Sequence, residues 1–218
     1  MSWTDNKILL EYTRYTPCQD IFQAVCDEIG KHYQNIGAKY SRSRPKLVIE
    51  NEKLKLEICF WSSRSNMPGE RVNLEIIPNF YSKELKKVSS TKGFLFGHTG
   101  IFYHKYKEDK TQIRVNQIFG DILERTDEHS HESKQIDNNN CNVYAIDKEK
   151  FEKILNFIDT KILPWLTKIQ TQEGILELLS NASPTRIWAI NGKGSNSEFI
   201  KYVNLNFSEM DIEKQLDK

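Results

Sequence analysis

From Lys53 to Phe60 the side chains alternate without a break: Leu54, Leu56, Ile58 and Phe60 are apolar, and Lys53, Lys55, Glu57 and Cys59 stand between them. Successive strand residues point to opposite faces, so this pattern makes a strand with one buried and one wet face. The pattern returns at Val72, Leu74 and Ile76, which alternate with Asn73, Glu75 and Ile77 before Pro78 closes the strand. Leu47 to Glu50 precedes it as a strand, Asn51 and Glu52 make a turn, and Ser62 to Gly69 is a loop. Together these segments predict an antiparallel hairpin. One apolar sheet face needs a cover, and that need constrains the rest of the chain.

The cover is helical. Thr16-Pro17-Cys18-Gln19 predicts a helix start, with Thr16 as cap, Pro17 at the first helical position and Gln19 completing a capping box. Phe22, Cys26, Ile29, Tyr33 and Ile36 then recur at helical spacing, and Gly37 is placed as a left-handed stop. A second helix is capped by Asp147 and carries the stripe Phe151, Ile154, Leu155, Ile158, Ile162, Trp165, Leu166 and Ile169. Pro164 lies inside that stripe, and a proline in a helix interior costs about 3 kcal/mol, so a kink or break is expected near Lys161.

Other segments are shorter. Residues 1–15 offer a short element through Ile8, Leu9 and Leu10. Phe80 to Val88 reads as a short helix capped by Ser82, and Ile101–Tyr106 and Gln112–Phe119 as two strands around a Lys107–Lys110 turn. The stretch from Asp121 to Asp137 is acidic and, with Asn138 to Asn140, reads as a surface loop. Thr171 begins another helix ending near Ser180, Thr185–Ile190 is a last strand, and capping-box patterns at Ser195/Glu198 and Ser208/Asp211 predict two short terminal helices. The order of helix, strands, then helices predicts one α+β domain over 1–218, with 181–218 as a C-terminal appendage. Its antiparallel sheet of about four to six strands packs against the N-terminal helix and the long kinked helix of the C-terminal half.

Composition narrows the function classes. The chain of 218 residues carries 31 basic and 30 acidic side chains, for a net charge of +1, so a nucleic-acid role would need a local basic patch. The N-terminus lacks the apolar run of a signal peptide and no window approaches the roughly 20 apolar residues of a membrane span, which predicts a cytoplasmic protein with no membrane partner. Cys18, Cys26, Cys59 and Cys141 are scattered and read as reduced thiols.

The order of helix, Arg-rich approach, alternating hairpin, and a helix ending in Leu163-Pro164-Trp165-Leu166 followed by Thr171-Gln172-Glu173-Gly174 resembles a group of uncharacterised small bacterial domains. The resemblance spans roughly 16–180. It implies a small cytosolic protein with an immunity or accessory role in a conflict or antiviral defence system. No motif in it is catalytic, and no functional residue is carried over.

No constellation with the spacing of an active site stands out. His129-Ser130-His131-Glu132 is the most metal-like cluster, but His at i and i+2 in an acidic loop is not the rigid helical pair of a catalytic zinc site. His98 and His104 read as structural histidines among aromatics, or as an acid–base pair without a nucleophile, and His32 as a surface residue. Asn191-Gly192-Lys193-Gly194-Ser195 lacks P-loop spacing. No cofactor and no bound metal are expected.

Two patches suit partners. Lys39, Tyr40, Arg42, Arg44 and Lys46 mix basic and aromatic side chains in a segment without an acid, as a solvated approach to a strand or a surface for nucleic acid or an acidic protein. Trp61 falls in the polar register of its strand, beside Arg64 and, across the hairpin end, Arg71. A tryptophan there is either covered by a helix or serves as an anchor with an arginine rim. The sequence thus favours a non-enzymatic module that binds another protein, a toxin or effector subunit, through Trp61, Arg64 and Arg71. The alternatives are a nucleic-acid-associated protein using 39–46 and a metal-dependent hydrolase or nuclease.

Overall fold

The hairpin grows into the centre of a six-stranded sheet. The computed structural model describes residues 3–88, 92–105, 112–116, 118–119, 123–126, 134–181 and 198–212. Helix α1 (Lys7–Glu11) starts where Asn6 Oδ1 accepts from the Ile8 amide, and α2 (Cys18–Gln34) follows. Strands β1 (Lys39–Ser41), β2 (Lys46–Glu50), β3 (Leu54–Trp61) and β4 (Asn73–Ser82) then pair antiparallel in sequence order. The far edge of β4 takes two short strands: β10 (Asn140–Asn142) opposite residues 73–75 and β5 (Phe94–Gly97) opposite residues 79–81.

A one-turn helix α3 (Leu85–Val88) precedes β5. Strands β6 (Tyr103–Lys105), β7 (Gln112–Asn116), β8 (Leu123–Thr126) and β9 (Lys134–Asp137) form a second sheet in the order β6-β9-β7-β8. After β10 come α4 (Lys148–Phe157), a π-helical segment over Ile158–Ile162, α5 (Trp165–Lys168), α6 (Gln172–Asn181) and α7 (Glu198–Asn206). The architecture is α+β, with the N-terminal helix and a bent helix of the C-terminal half against the antiparallel sheet.

The inward face of the sheet is Leu47, Leu54, Leu56, Ile58, Phe60, Leu74, Ile76 and Phe80, all buried. Phe22, Val25, Cys26, Ile29 and Tyr33 of α2 join that core. The Tyr33 hydroxyl crosses it to donate to Asp159 Oδ1 at 2.7 Å, tying α2 to the π-helical segment. Phe96 of β5 stacks on Phe80 (centroids 4.7 Å apart) and meets Trp165 and Phe199 edge-on at 6.5 and 6.1 Å. The four cysteines are free, with Cys26 and Cys141 buried.

The bend falls where Pro164 puts it. Asp147 Oδ1 accepts from the Lys150 amide to cap α4. The ladder then widens, the Leu163 amide donating to the Ile158 carbonyl at 3.0 Å, and Pro164 begins α5 as its N-cap. Widening by one residue accommodates a ring that would otherwise clash with the carbonyl four positions back.

Several local expectations are corrected. The Thr16 hydroxyl accepts from the Thr13 amide in the preceding turn, so Pro17 is the N-cap of α2 and no capping box forms. Ile36 lies past the end of α2 and is exposed; the chain reverses at Gly37 (φ +94°), where the Ala38 amide donates to the Tyr33 carbonyl. Pro78 does not close its strand: β4 runs on to Ser82. The Ile76 amide points to the far edge, donating to the Asn139 carbonyl, and alternation directs position 78 the same way, into the gap between β10 and β5 where no ladder bond is lost.

β4 therefore takes Phe80 to Ser82, and the expected helix shrinks to α3, with Ser82 Oγ accepting from the Leu85 amide. The acidic stretch contributes β8 and β9, because ladder bonds use backbone groups whatever the side-chain polarity. β6 and β7 are not a hairpin: β9 lies between them, antiparallel to β6 and parallel to β7. Thr185–Ile190, Ser195 and the 191–195 turn lie outside the described residues.

Candidate functional site

The outward face of the sheet carries the side chains that the core does not take. Register aligns Glu50, Lys55 and Tyr81 in one cross-strand row, Val48, Glu57 and Asn79 in the next, and Lys46, Cys59 and Ile77 in a third. Trp61 opposite Glu75 ends the face. Burial along β3 alternates strictly to its last residue, where Trp61 is 49% exposed. Among the described residues no helix covers it, and it stands in the wet register that its sequence position dictates.

The loop after Trp61 is braced. Ser62 Oγ donates to the Asn73 carbonyl at 2.9 Å, Asn66 Nδ2 donates to Ser62 Oγ at 2.8 Å, and Asn66 Oδ1 accepts from the Asn73 amide at 2.8 Å. Met67 and Arg71 exchange two backbone hydrogen bonds of 2.8 Å. From the neighbouring strand, Asn142 Oδ1 accepts from the Val72 amide and its Nδ2 donates to the Glu70 carbonyl. Gly69 (φ +80°) turns against Arg14, whose Cβ would stand 2.9 Å from any Cβ added there.

This loop presents Arg64 and Arg71, both exposed, and Met67, 48% exposed. Among the described residues neither arginine is in an ion pair. Met67 is the member of this surface that sequence reading missed. Its only signal was an apolar residue in a polar loop, which is commonplace.

The basic strip folds differently from its appearance in sequence. Lys39 to Lys46 is a hairpin of β1 and β2, laid against α2. Arg42 Nε donates to Asp27 Oδ2 at 3.0 Å, and the Tyr40 hydroxyl donates to Asp27 Oδ1 at 2.9 Å, where Gln23 Nε2 also donates. Tyr40 lies so close to α2 that a Cβ on Gly30 would come within 2.5 Å of its ring. Burial, then the Asp27 hydrogen bond, raises its phenol well above the usual range.

Lys46 pairs with Glu57 at 3.2 Å, and Lys55 reaches the same carboxylate at 3.0 Å. Partial burial pushes the Glu57 carboxyl up, and the two lysines outweigh it and hold it below the ordinary value. Of the five candidates, Lys39 and Arg44 remain exposed without an ion-pair partner among the described residues. The acids that neutralise the strip come from α2 and β3, which no local reading of 39–46 includes.

His129 and His131 lie outside the described residues, His98 opens a single 3-10 turn, and His104 is in β6. His32 is exposed with its ring edge-on to Tyr33. Among the described residues no group of three His, Cys, Asp or Glu side chains could hold a metal ion, and no helix is long and apolar enough to cross a membrane. No family model matches the sequence, and no curated protein or solved structure matches the chain.

Proposed function

We propose that this chain is a non-enzymatic protein-binding module that engages its partner through Trp61, Arg64 and Arg71. The observation that carries the reading is a half-exposed tryptophan at the end of a strand, beside a loop braced by its own Ser62 and Asn66 and by Asn142 of β10. A large aromatic with arginines around it is the composition of an interface hot spot, and a fixed loop loses little freedom on binding. Met67 adds a soft apolar contact at the same end. The likeness to immunity and accessory domains makes a toxin or effector subunit the first partner to test, in a cytoplasmic setting.

The nucleic-acid alternative through 39–46 has less support, since Arg42, Tyr40 and Lys46 are engaged within the fold.

The test is affinity capture with wild-type and Trp61→Ala baits in parallel, followed by calorimetry on the partner obtained. Trp61→Ala should weaken binding by about 2 kcal/mol or more, the hot-spot scale, with the melting temperature nearly unchanged. A drop of several degrees in melting temperature with intact capture would remove Trp61 from the interface. Binding that collapses as salt rises, on a nucleic-acid probe, would favour the alternative instead.

A further inference from the structure

At the opposite end of the same sheet face lies a cavity of about 470 Å³, lined by Glu50, Lys55, Tyr81, Ser82, Lys83, Lys86 and Lys87. Its floor is the row Glu50, Lys55, Tyr81 across β2, β3 and β4. Lys55 and Trp61 share one face of β3 six positions apart, so the cavity and the tryptophan are separated by about 20 Å.

The wall is a tight corner between β4 and β5. The Lys83 amide donates to the Lys53 carbonyl and the Ser82 amide donates to the Gly93 carbonyl, both at 2.8 Å. Gly93 (φ +74°) packs so closely that a Cβ would stand 2.3 Å from the Ser82 carbonyl oxygen and 2.8 Å from the Lys86 amide nitrogen. Leu85 is buried beneath the corner, which leaves Lys86 and Lys87 outside.

Four lysines and one carboxylate line the cavity, and with Lys83 paired to Glu50 and Lys55 to Glu57 the uncompensated excess among the described residues is the two positive charges of Lys86 and Lys87. Lys83 is paired with Glu50 at 2.8 Å, and Lys55 reaches Glu57 at 3.0 Å while its Nζ sits 4.3 Å from the Tyr81 ring centre. Among the described residues Lys86 and Lys87 have no ion-pair partner. The Glu50 carboxyl is held below its ordinary value first by the Lys83 hydrogen bond, against burial that raises it, with the charges of Lys83, Lys39 and Lys55 adding to the lowering.

We propose that this cavity binds a small phosphorylated ligand whose phosphate oxygens are held by Lys86 and Lys87. A single carboxylate would offset one charge of the excess; a phosphate monoester or pyrophosphate offsets two or more. Lysine ammoniums are suited to phosphate as point charges. The volume lies in the range of small-molecule sites, about 300–1,000 Å³, and concavity favours a compact ligand over an extended polymer.

Titration calorimetry on the full chain tests this with sodium pyrophosphate and with adenosine 5′-diphosphate. The wild type should bind pyrophosphate, and Lys86→Gln/Lys87→Gln should weaken it by about tenfold or more with an unchanged melting temperature, since both side chains are exposed. The single variant Lys87→Gln should give an intermediate loss. Tighter binding of the diphosphate ester would assign the site to an organic phosphate, and equal or weaker binding to the free oxyanion. Absence of pyrophosphate binding by the wild type, or equal affinity in the double variant, would overturn the proposal. So would binding of a short DNA duplex without binding of pyrophosphate. Trp61→Ala should leave pyrophosphate affinity unchanged, which separates this site from the protein-binding surface.

Discussion

Tyr202 shows how a single buried donor sets a pH limit. It is buried, and its hydroxyl donates to the Ile169 carbonyl at 3.0 Å. Burial, with the charge of Glu84 added, pushes its phenol up to about 12. The unfolded value is about 10, so the neutral form is favoured in the folded state. Its contribution is complete below pH about 10 and is lost as pH rises from there through about 12. The melting temperature of the wild type should therefore fall across that window. Tyr202→Phe should cost about 1 kcal/mol at neutral pH, and its stability should then fall less steeply, with the slope of the other tyrosines that burial raises, Tyr33 and Tyr40 among them, remaining. Parallel alkaline limbs in the two proteins would assign the loss to other groups.

At the scale of elements, the corner between α5 and α6 leaves no space for a side chain. Thr171 Oγ1 accepts from the Gly174 amide at 3.1 Å to start α6. A Cβ at Gly174 would lie 1.9 Å from the Lys168 carbonyl oxygen, which is backbone and cannot step aside. Gly174→Ala should destabilise the fold by about 3 kcal/mol, the upper end of overpacking costs. Gly37→Ala meets nothing within 4 Å and is strained only by its φ of +94°, so its cost should be about 1–2 kcal/mol. Denaturant midpoints of the two variants check the order. Equal costs would mean the corner relaxes.

At the scale of the molecule, Phe96 joins β4, α5 and α7 in one aromatic cluster. Phe199 is fully buried there, with Ile200, Tyr202 and Val203 buried beside it. A helix expected as part of an appendage after 181 thus packs into the core. Phe199→Ala should cost about 3–5 kcal/mol and move one cooperative unfolding transition as a whole, followed by circular dichroism and by tryptophan fluorescence together. Two separated transitions would mean that α7 and the sheet unfold independently.

Local chemistry alone determined much of this protein. Period-two alternation set β3 and the start of β4, helical spacing set α2 and α4, Asp147 set a cap, and Pro164 set the bend, because each acts through neighbours a few positions away. The same alternation put Trp61 in the wet register. Tertiary structure decided what depended on distant partners. Pro78 stays in its strand because two separate strands leave a gap at its amide. Arg42 and Lys46 find acids on α2 and β3. The lysine-lined cavity gathers β2, β3 and the β4–α3 corner, and charges brought together by strand register have no signature along the chain.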